Sequence, residues 1–268
     1  MTIIETVGVP CSGKTTNYFL IKSKLKKRGK ISYNYSELFF IFSHKIRNLT
    51  INEKLSLKLS YKIYKRYNKN SNLKFVKNNK KKILELNYPK TQIKSFINNK
   101  VKNIKKKIIF NLGAKEKKLF SILKKSVSSS PLNYHQKKIL NSRIEEEIIG
   151  LHIYKKLNLS KYIILNDEGI IQRILSGIKN HKMIFKNLNF FYSHFKIDKV
   201  LYVRCSYSDV FRRSNLRNKG FKYNNLKDNS IKTWLNVFDE YFKKYKDKNI
   251  LKVNKNLSKI TDKIILIK

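Results

Sequence analysis

The amino-acid sequence predicts an α/β protein in which a parallel β-sheet is covered by helices. Short apolar, β-branched segments alternate with helical segments at both ends of the 268-residue chain. A glycine-containing turn also joins the first of these strands directly to a helix. Alternation of this kind is typical of a parallel sheet with helices on both faces.

The N-terminal part of the chain contains the first strand, a turn, a helix and a second strand. Residues 2–7 are apolar and β-branched, and residues 8–13 form the turn. Residues 14–28 predict a helix that ends at Gly29, since glycine is common just after the last helical residue. Residues 31–35 predict the second strand.

The middle of the chain, residues 42–158, is rich in Lys and Asn and has apolar residues at helical spacing. We expect several helices here, part of them an insertion into a single domain that spans residues 1–268. The adjacent acids Glu145, Glu146 and Glu147 lie in this zone. Because three consecutive helical residues point in different directions, we expect them to form a solvated face rather than a metal site.

The strand pattern returns in the last third of the chain, where short apolar segments again alternate with amphipathic helices. The predicted strands are 162–165, 199–204 and 250–253, and the predicted helices are 210–216, 231–245 and 257–267.

The charge of the chain is extreme, with 61 Lys and Arg against 17 Asp and Glu and a formal net charge of +44. Nucleic-acid or anionic-membrane binding would explain it. We favour a solvated basic surface on a protein from a lysine-rich proteome, because such a footprint says nothing about chemistry. The sequence has neither an apolar run of about 20 residues nor a signal-peptide pattern, so we expect a cytoplasmic protein without a transmembrane segment.

A phosphate-binding motif occupies the first turn. Residues 8–15, GVPCSGKT, match the pattern G-x-x-x-x-G-K-[ST] in the strand–turn–helix setting that its mechanism requires. The backbone N–H groups of such a loop and the positive end of the following helix bind phosphate. We expect Lys14 to reach the β- and γ-phosphates and the Thr15 hydroxyl to bind Mg²⁺. The predicted nucleotide-binding residues are Gly8, Cys11, Ser12, Gly13, Lys14, Thr15 and Thr16.

An acidic pair follows the strand at 162–165. Asp167 would orient Mg²⁺ through water, and Glu168 would act as general base toward an acceptor hydroxyl. These roles could be exchanged, because the sequence does not show which carboxylate points into the site. The alternative, a turn that only ends the strand, is disfavoured by the intact phosphate motif.

An arginine cluster follows the strand at 199–204. Arg213 and Arg217 are four residues apart and therefore share a helix face. Such a pair suits the clamping of the charge that develops on a transferring phosphoryl group. A pair of solvent-exposed surface arginines without a role in the reaction explains the pattern equally well.

Together these features resemble the P-loop kinases of nucleosides, nucleotides and related small molecules, the thymidylate-kinase and deoxynucleoside-kinase group. The resemblance covers residues 1–40 and 160–268, and it implies a three-layer α/β/α fold with strand order 2-3-1-4-5. It also implies ATP and Mg²⁺ as cofactors, a lid bearing Arg213 and Arg217, and a loop at Asn254 near the nucleotide base. Glu37 loosely matches the place of a catalytic acid in deoxynucleoside kinases.

The acceptor side departs from that family, because no clear acceptor motif follows the central strand and Arg173 is only a loose substitute. The sequence therefore predicts an ATP- and Mg²⁺-dependent phosphotransferase that acts on a small hydroxyl- or phosphate-bearing metabolite. Two alternatives stay open: an ATPase that regulates an anionic partner, and sulfotransferase-like group transfer.

Overall fold

The computed structural model describes residues 2–45, 49–63, 101–129, 133–159, 161–177, 181–218, 228–246 and 249–253. These residues form one parallel sheet with helices on both sides. The strands are β1 (Thr2–Val7), β2 (Ser32–Tyr33), β3 (Ile163–Asn166), β4 (Lys199–Val203) and β5 (Ile250–Val253). Their order is β2-β3-β1-β4-β5, and every pairing is parallel. The predicted fold class and strand order are confirmed.

Helices connect the strands and continue through the middle of the chain. The first two are α1 (Lys14–Lys27) and α2 (Tyr35–Phe42), followed by helical residues 51–63 (α3) and 101–110 (α4). The others are α5 (Ala114–Ser128), α6 (Tyr134–Lys156), α7 (Ile170–Gly177), α8 (His181–His194), α9 (Tyr207–Asn218) and α10 (Asp228–Lys244).

The sheet is buried on both faces, as expected for a parallel sheet between helices. Every residue of β1 is buried. Ile4 packs on the α1 face, and its neighbour Ile3 packs on the opposite face, because successive side chains of a strand alternate. The α1 face is closed by Ile21 and Leu25, both fully buried, and each burial is worth roughly 1.5–3 kcal/mol.

The opposite face carries the larger hydrophobic core, which includes the described part of the predicted insertion. Buried side chains of β1, such as Val7, belong to the same cluster as Leu57 of α3, Ile104 of α4, Leu119 of α5 and Ile148 of α6. The helices of the middle zone therefore bury apolar surface against the sheet side of the molecule rather than forming a core of their own.

The second strand is shorter than the sequence predicted, because the polar residue that follows it starts a helix. Asn34 is the N-cap of α2: its side chain accepts a hydrogen bond from the Glu37 N–H (2.8 Å). The Glu37 carboxylate in turn accepts one from the Asn34 N–H (2.9 Å). This reciprocal capping box satisfies two N–H groups that a helix end leaves open. The predicted helix at 257–267 lies outside the described residues.

The three adjacent acids of α6 do not form a solvated face, so that expectation is wrong. Glu145 pairs with Lys124 on α5 (2.9 Å), and Glu146 pairs with the buried Lys105 on α4 (2.8 Å). Glu147 is buried and pairs with Arg173 on α7 (3.0 Å). The different directions of these side chains bring each acid to a different neighbour.

Among the described residues, no helix combines the length and apolar character of a membrane span.

Candidate active site

The phosphate loop, residues 8–15, lies between β1 and α1, where the carboxyl ends of β3 and β4 flank β1. Local geometry explains why glycine occupies two positions of this loop. A Cβ on Gly8 would lie 2.6 Å from the Val203 carbonyl oxygen at the end of β4. Gly13 has a φ of 101°, in the left-handed region that favours glycine, and it is the N-cap of α1. The loop and the N-terminus of a helix thus meet where the sequence predicted a phosphate site.

Lys14 points back over this loop. Its Nζ donates hydrogen bonds to the carbonyl oxygens of Gly8 (2.9 Å) and Val9 (3.0 Å). The side chain is only 5% exposed, and Nζ lies 3.8 Å from the Glu168 carboxylate. The ammonium group is therefore held at the phosphate loop.

Thr15 and Asp167 are in direct contact across 152 residues of sequence. The Thr15 Oγ1 donates a hydrogen bond to Asp167 Oδ2 (2.8 Å). The other oxygen, Asp167 Oδ1, is buried and accepts no hydrogen bond from any described residue. Burial raises the pKa of the Asp167 carboxyl, partly offset by the Thr15 hydrogen bond. A hydroxyl and a carboxylate oxygen without a hydrogen bond are the donor types that suit Mg²⁺, which takes one or two carboxylates and completes its shell with water and phosphates.

The N-terminal turns of α7 hold the loop from behind. Gln172 is 3% exposed, and its Oε1 accepts a hydrogen bond from the Gly8 N–H (3.0 Å). The sequence does not indicate a role for Gln172, because a single Gln inside an apolar helix carries no motif. It fixes the first residue of the phosphate loop to the helix that follows the acidic pair.

A buried charge network, defined as Glu5, Glu147, Glu168 and Arg173, surrounds the start of α7. The Arg173 guanidinium donates to the Glu168 carboxylate (3.1 Å) and to the Glu147 carboxylate (3.0 Å). Despite partial desolvation, the nearby cations Arg173 and Lys14 lower the pKa of Glu168 to about 2. Burial raises the pKa of Glu147 in spite of its pairing with Arg173.

Glu5 occupies the interior of this network on strand β1. It is fully buried, and its carboxylate accepts hydrogen bonds from the N–H groups of Ile170 (3.2 Å) and Ile171 (3.0 Å). A carboxylate at these positions satisfies open N–H groups at a helix N-terminus and complements the helix dipole. Burial nevertheless raises the pKa of Glu5 to about 7. The absence of a side chain at Gly169 leaves the space that the carboxylate fills.

Arg213 reaches the top of the phosphate loop from α9. Its Nη1 donates to the carbonyl oxygens of Cys11 (3.3 Å) and Ser12 (3.2 Å) and lies 3.6 Å from the Cys205 sulfur. These contacts place Arg213 beside the phosphate loop. Arg217 lies on α9 one turn later, but its side chain is outside the described part of the structure.

Three other predicted site residues have different outcomes. Thr16 lies in the first turn of α1 and is exposed. Asn254 lies outside the described residues. Glu37 caps α2 and forms an ion pair with Lys22 (3.0 Å), so its described contacts are those of a structural residue rather than of a catalytic acid.

The parallel strand order β2-β3-β1-β4-β5, with helices on both sides of the sheet, matches the three-layer α/β/α fold expected from the sequence. No family model and no curated protein matches the sequence. Similar solved structures include a deoxyadenosine kinase from M. mycoides with the products dCMP and dCDP, at a TM-score of 0.40 and 12% identity over 98% of this chain and 97% of that chain.

The same kinase with dCTP has a TM-score of 0.39 and 13% identity over 99% of this chain and 97% of that chain. With dATP the TM-score is 0.39 and the identity 12%, over the same shares of the two chains. Similarities of this size say nothing about the reaction, for which the residues of the site are the guide.

Proposed function

We propose that this protein is an ATP- and Mg²⁺-dependent phosphotransferase that acts on a small hydroxyl- or phosphate-bearing metabolite. The observation that carries the proposal is the contact between Thr15 and Asp167 (2.8 Å) beside a lysine held over the phosphate loop. Residues from two distant parts of the sequence thus form one site with the donor types that phosphoryl transfer needs.

The phosphate loop and its cations would bind the triphosphate. Backbone N–H groups of the loop and the N-terminus of α1 would face the phosphate oxygens. In the described state Lys14 binds the loop's own carbonyl groups, so an incoming phosphate would exchange those hydrogen bonds for stronger charge-assisted ones. Arg213, at the top of the loop, would add a second positive charge where charge develops during transfer.

Thr15 and Asp167 would hold Mg²⁺. The buried, unpartnered Asp167 Oδ1 fits this role, since a buried carboxylate oxygen without a hydrogen bond is costly unless a ligand or water uses it. When bound, the metal neutralises charge on the phosphates. These contacts support Asp167, rather than Glu168, as the acid at the metal position.

Glu168 has a different environment. A pKa of about 2 keeps it ionised at neutral pH but makes it a weak proton acceptor, because an efficient general base has a pKa near the operating pH. This argues against the general-base role predicted from the sequence. Its contacts with Lys14 and Arg173 instead support a fixed negative charge beside the phosphate loop.

The test is an incubation of the purified protein with Mg²⁺, a pool of small metabolites and ATP that is radiolabelled in its γ-phosphate. A phosphotransferase yields a new labelled product that requires both the pool and Mg²⁺. Acceptor-independent release of phosphate would indicate the ATPase alternative instead. Transfer of sulfate from a sulfonucleotide donor, with ATP inert, would indicate the sulfotransferase alternative.

A further inference from the structure

We propose that Arg173 is a positioning residue, which holds the Glu168 carboxylate at a fixed distance from Lys14, and that Glu147 of α6 holds Arg173 in place. The inference deepens the proposed function and rests on it. It concerns a contact between α6 and α7 that no sequence motif indicates.

The geometry of the guanidinium carries the proposal. Arg173 presents Nε and Nη2 to Glu147, at 3.0–3.4 Å, and Nη1 to Glu168, at 3.1 Å. One planar fork thus grips a carboxylate on each side, a geometry that lysine does not reproduce. The orientation of the Glu168 side chain therefore depends on a residue that is anchored on a different helix.

Burial separates the two ends of this chain of contacts. The side chains of Arg173 and Glu147 are each 9% exposed, whereas that of Glu168 is 37% exposed. The anchored end lies in the interior, and the open end lies beside the phosphate loop. Buried residues thus fix the orientation of the partly accessible Glu168 carboxylate, as residues next to catalytic groups often do in active sites.

Stability alone is a poor reason for this network. A buried ion pair often contributes little net stability, since removing the charges from water offsets their attraction. One neighbouring pair on α6 shows a contrast in exposure: the Glu145–Lys124 pair has side-chain exposures of 29% and 33% and joins α5 to α6. The Arg173 pairs instead end at the phosphate site.

The consequence for Lys14 follows from competition between charges. Glu168 lies 3.8 Å from the Lys14 ammonium, near enough to attract it but beyond hydrogen-bond distance. Because the Glu168 carboxylate also pairs with Arg173, it stays at this distance and Lys14 stays on the phosphate loop. Without Arg173, the carboxylate is free to turn and pair directly with Lys14, which draws the ammonium away from the phosphates.

The test is a double-mutant cycle with Arg173→Lys and Glu168→Gln, measured on kcat and KM for ATP and on the Kd of a fluorescent ADP analogue with Mg²⁺. We expect Arg173→Lys to lower kcat about 10-fold with KM for ATP within about 3-fold of the parent value, because a misplaced group costs rate more than binding. If Arg173 acts through Glu168, the double variant matches Glu168→Gln alone in kcat and in Kd.

Glu147→Gln provides a second route to the same result if Arg173→Lys folds poorly, and Glu145→Gln is its matched control on the same turn of α6. We expect Glu147→Gln to lower kcat in the same direction and Glu145→Gln to leave it unchanged. Additive effects in the cycle, or equal effects of the two glutamate variants, overturn the proposal.

The cycle on Kd also separates this inference from the proposed function. A protein that binds the ADP analogue but transfers no phosphate contradicts the phosphotransferase, while coupling between Arg173 and Glu168 in Kd still supports the positioning role. A parent protein that binds no nucleotide overturns both.

Discussion

The phosphate loop and the buried charge network lie side by side but are built in opposite ways. The loop motif is eight consecutive residues, 8–15, which link β1 to the first turn of α1, and its function depends mainly on backbone groups. The network takes Glu5 from β1, Glu147 from α6, and Glu168 and Arg173 from the region around α7. The loop is therefore a local structure, whereas the network exists only when the chain is folded.

This difference explains why one region carries a readable motif and the other does not. Glycine at fixed spacing is required where the backbone must wrap an anion, so this requirement produces a motif of consecutive residues in the sequence. A buried guanidinium needs carboxylates nearby in space, and many sequence positions can supply them. If the loop governs the reaction while the network governs geometry and stability, substitutions in the two regions should affect different measured properties.

The largest effect is expected for Lys14→Ala. Loss of the ammonium group at the loop should lower kcat by about 10³-fold, since removal of one preorganised charge-stabilising group costs about 10²–10³-fold or more. The circular dichroism spectrum should stay unchanged. The matched control is Lys26→Ala, an exposed lysine of the same helix. Equal rates for the two variants would remove Lys14 from the mechanism.

The next effect concerns the network and is measured as stability. The pKa of Glu5 is about 7 in the folded protein against its ordinary value of 4.5, so the folded state binds the proton more tightly. The stabilisation from Glu5 is therefore complete below pH 4.5 and is lost as the pH rises through 7, by about 3 kcal/mol. Glu5→Gln should lack this loss in urea unfolding measured across the range.

The groups around Glu5 must be kept constant in that comparison. Glu5 interacts electrostatically with Glu147 and Arg173. Its negative charge also contributes to raising the pKa of the hydroxyl groups of Tyr35, Tyr192 and Tyr241. All of these remain in Glu5→Gln, so the difference between the two proteins isolates Glu5. Parallel stability curves for the two proteins would show that Glu5 does not titrate in this range.

A smaller effect is expected for Asp167→Asn. The amide still accepts the Thr15 hydrogen bond but loses the negative charge that Mg²⁺ requires. Loss of such a group should weaken Mg²⁺-dependent nucleotide binding by about 10- to 100-fold. Calorimetric titration with nucleotide, with Mg²⁺ and with a chelator, measures it. Binding that keeps its full Mg²⁺ dependence would contradict the metal assignment.

The smallest effect is expected for Arg213→Lys. The charge remains, but a lysine cannot contact the carbonyl groups of Cys11 and Ser12 with one planar group. We expect nucleotide affinity to fall about 3- to 10-fold, or about 1 kcal/mol. Arg212→Lys is the control, because Arg212 is exposed to solvent and forms an ion pair with Asp209 on its own helix. Equal affinities for both variants would leave Arg213 without a role in binding.

The fold could be predicted from sequence to a large extent, because hydrophobic alternation and a contiguous motif are local signals. The five strands, the start of α1 at Lys14 and its end before Gly29 all agree with the pattern. The short β2 strand was harder to predict, since the capping box of Asn34 and Glu37 competes with strand continuation.

Only the part of the candidate site that would bind the phosphate donor could be predicted from the sequence. Thr15 and Asp167 meet because parallel strands end at one edge of the sheet, which the sequence order indicates. Gln172, Glu5 and Glu147 could not be found, since their roles depend on how α6 and α7 turn relative to β1. No spacing rule connects residues that far apart.

The three consecutive acids of α6 have one more consequence, for the tolerance of the chain to insertion. Glu145, Glu146 and Glu147 reach Lys124, Lys105 and Arg173 on three different helices. An α-helix turns by about 100° per residue. One codon added earlier in α6 would therefore rotate all three carboxylates away from their partners at once, so this turn should accept substitutions far more readily than changes in length.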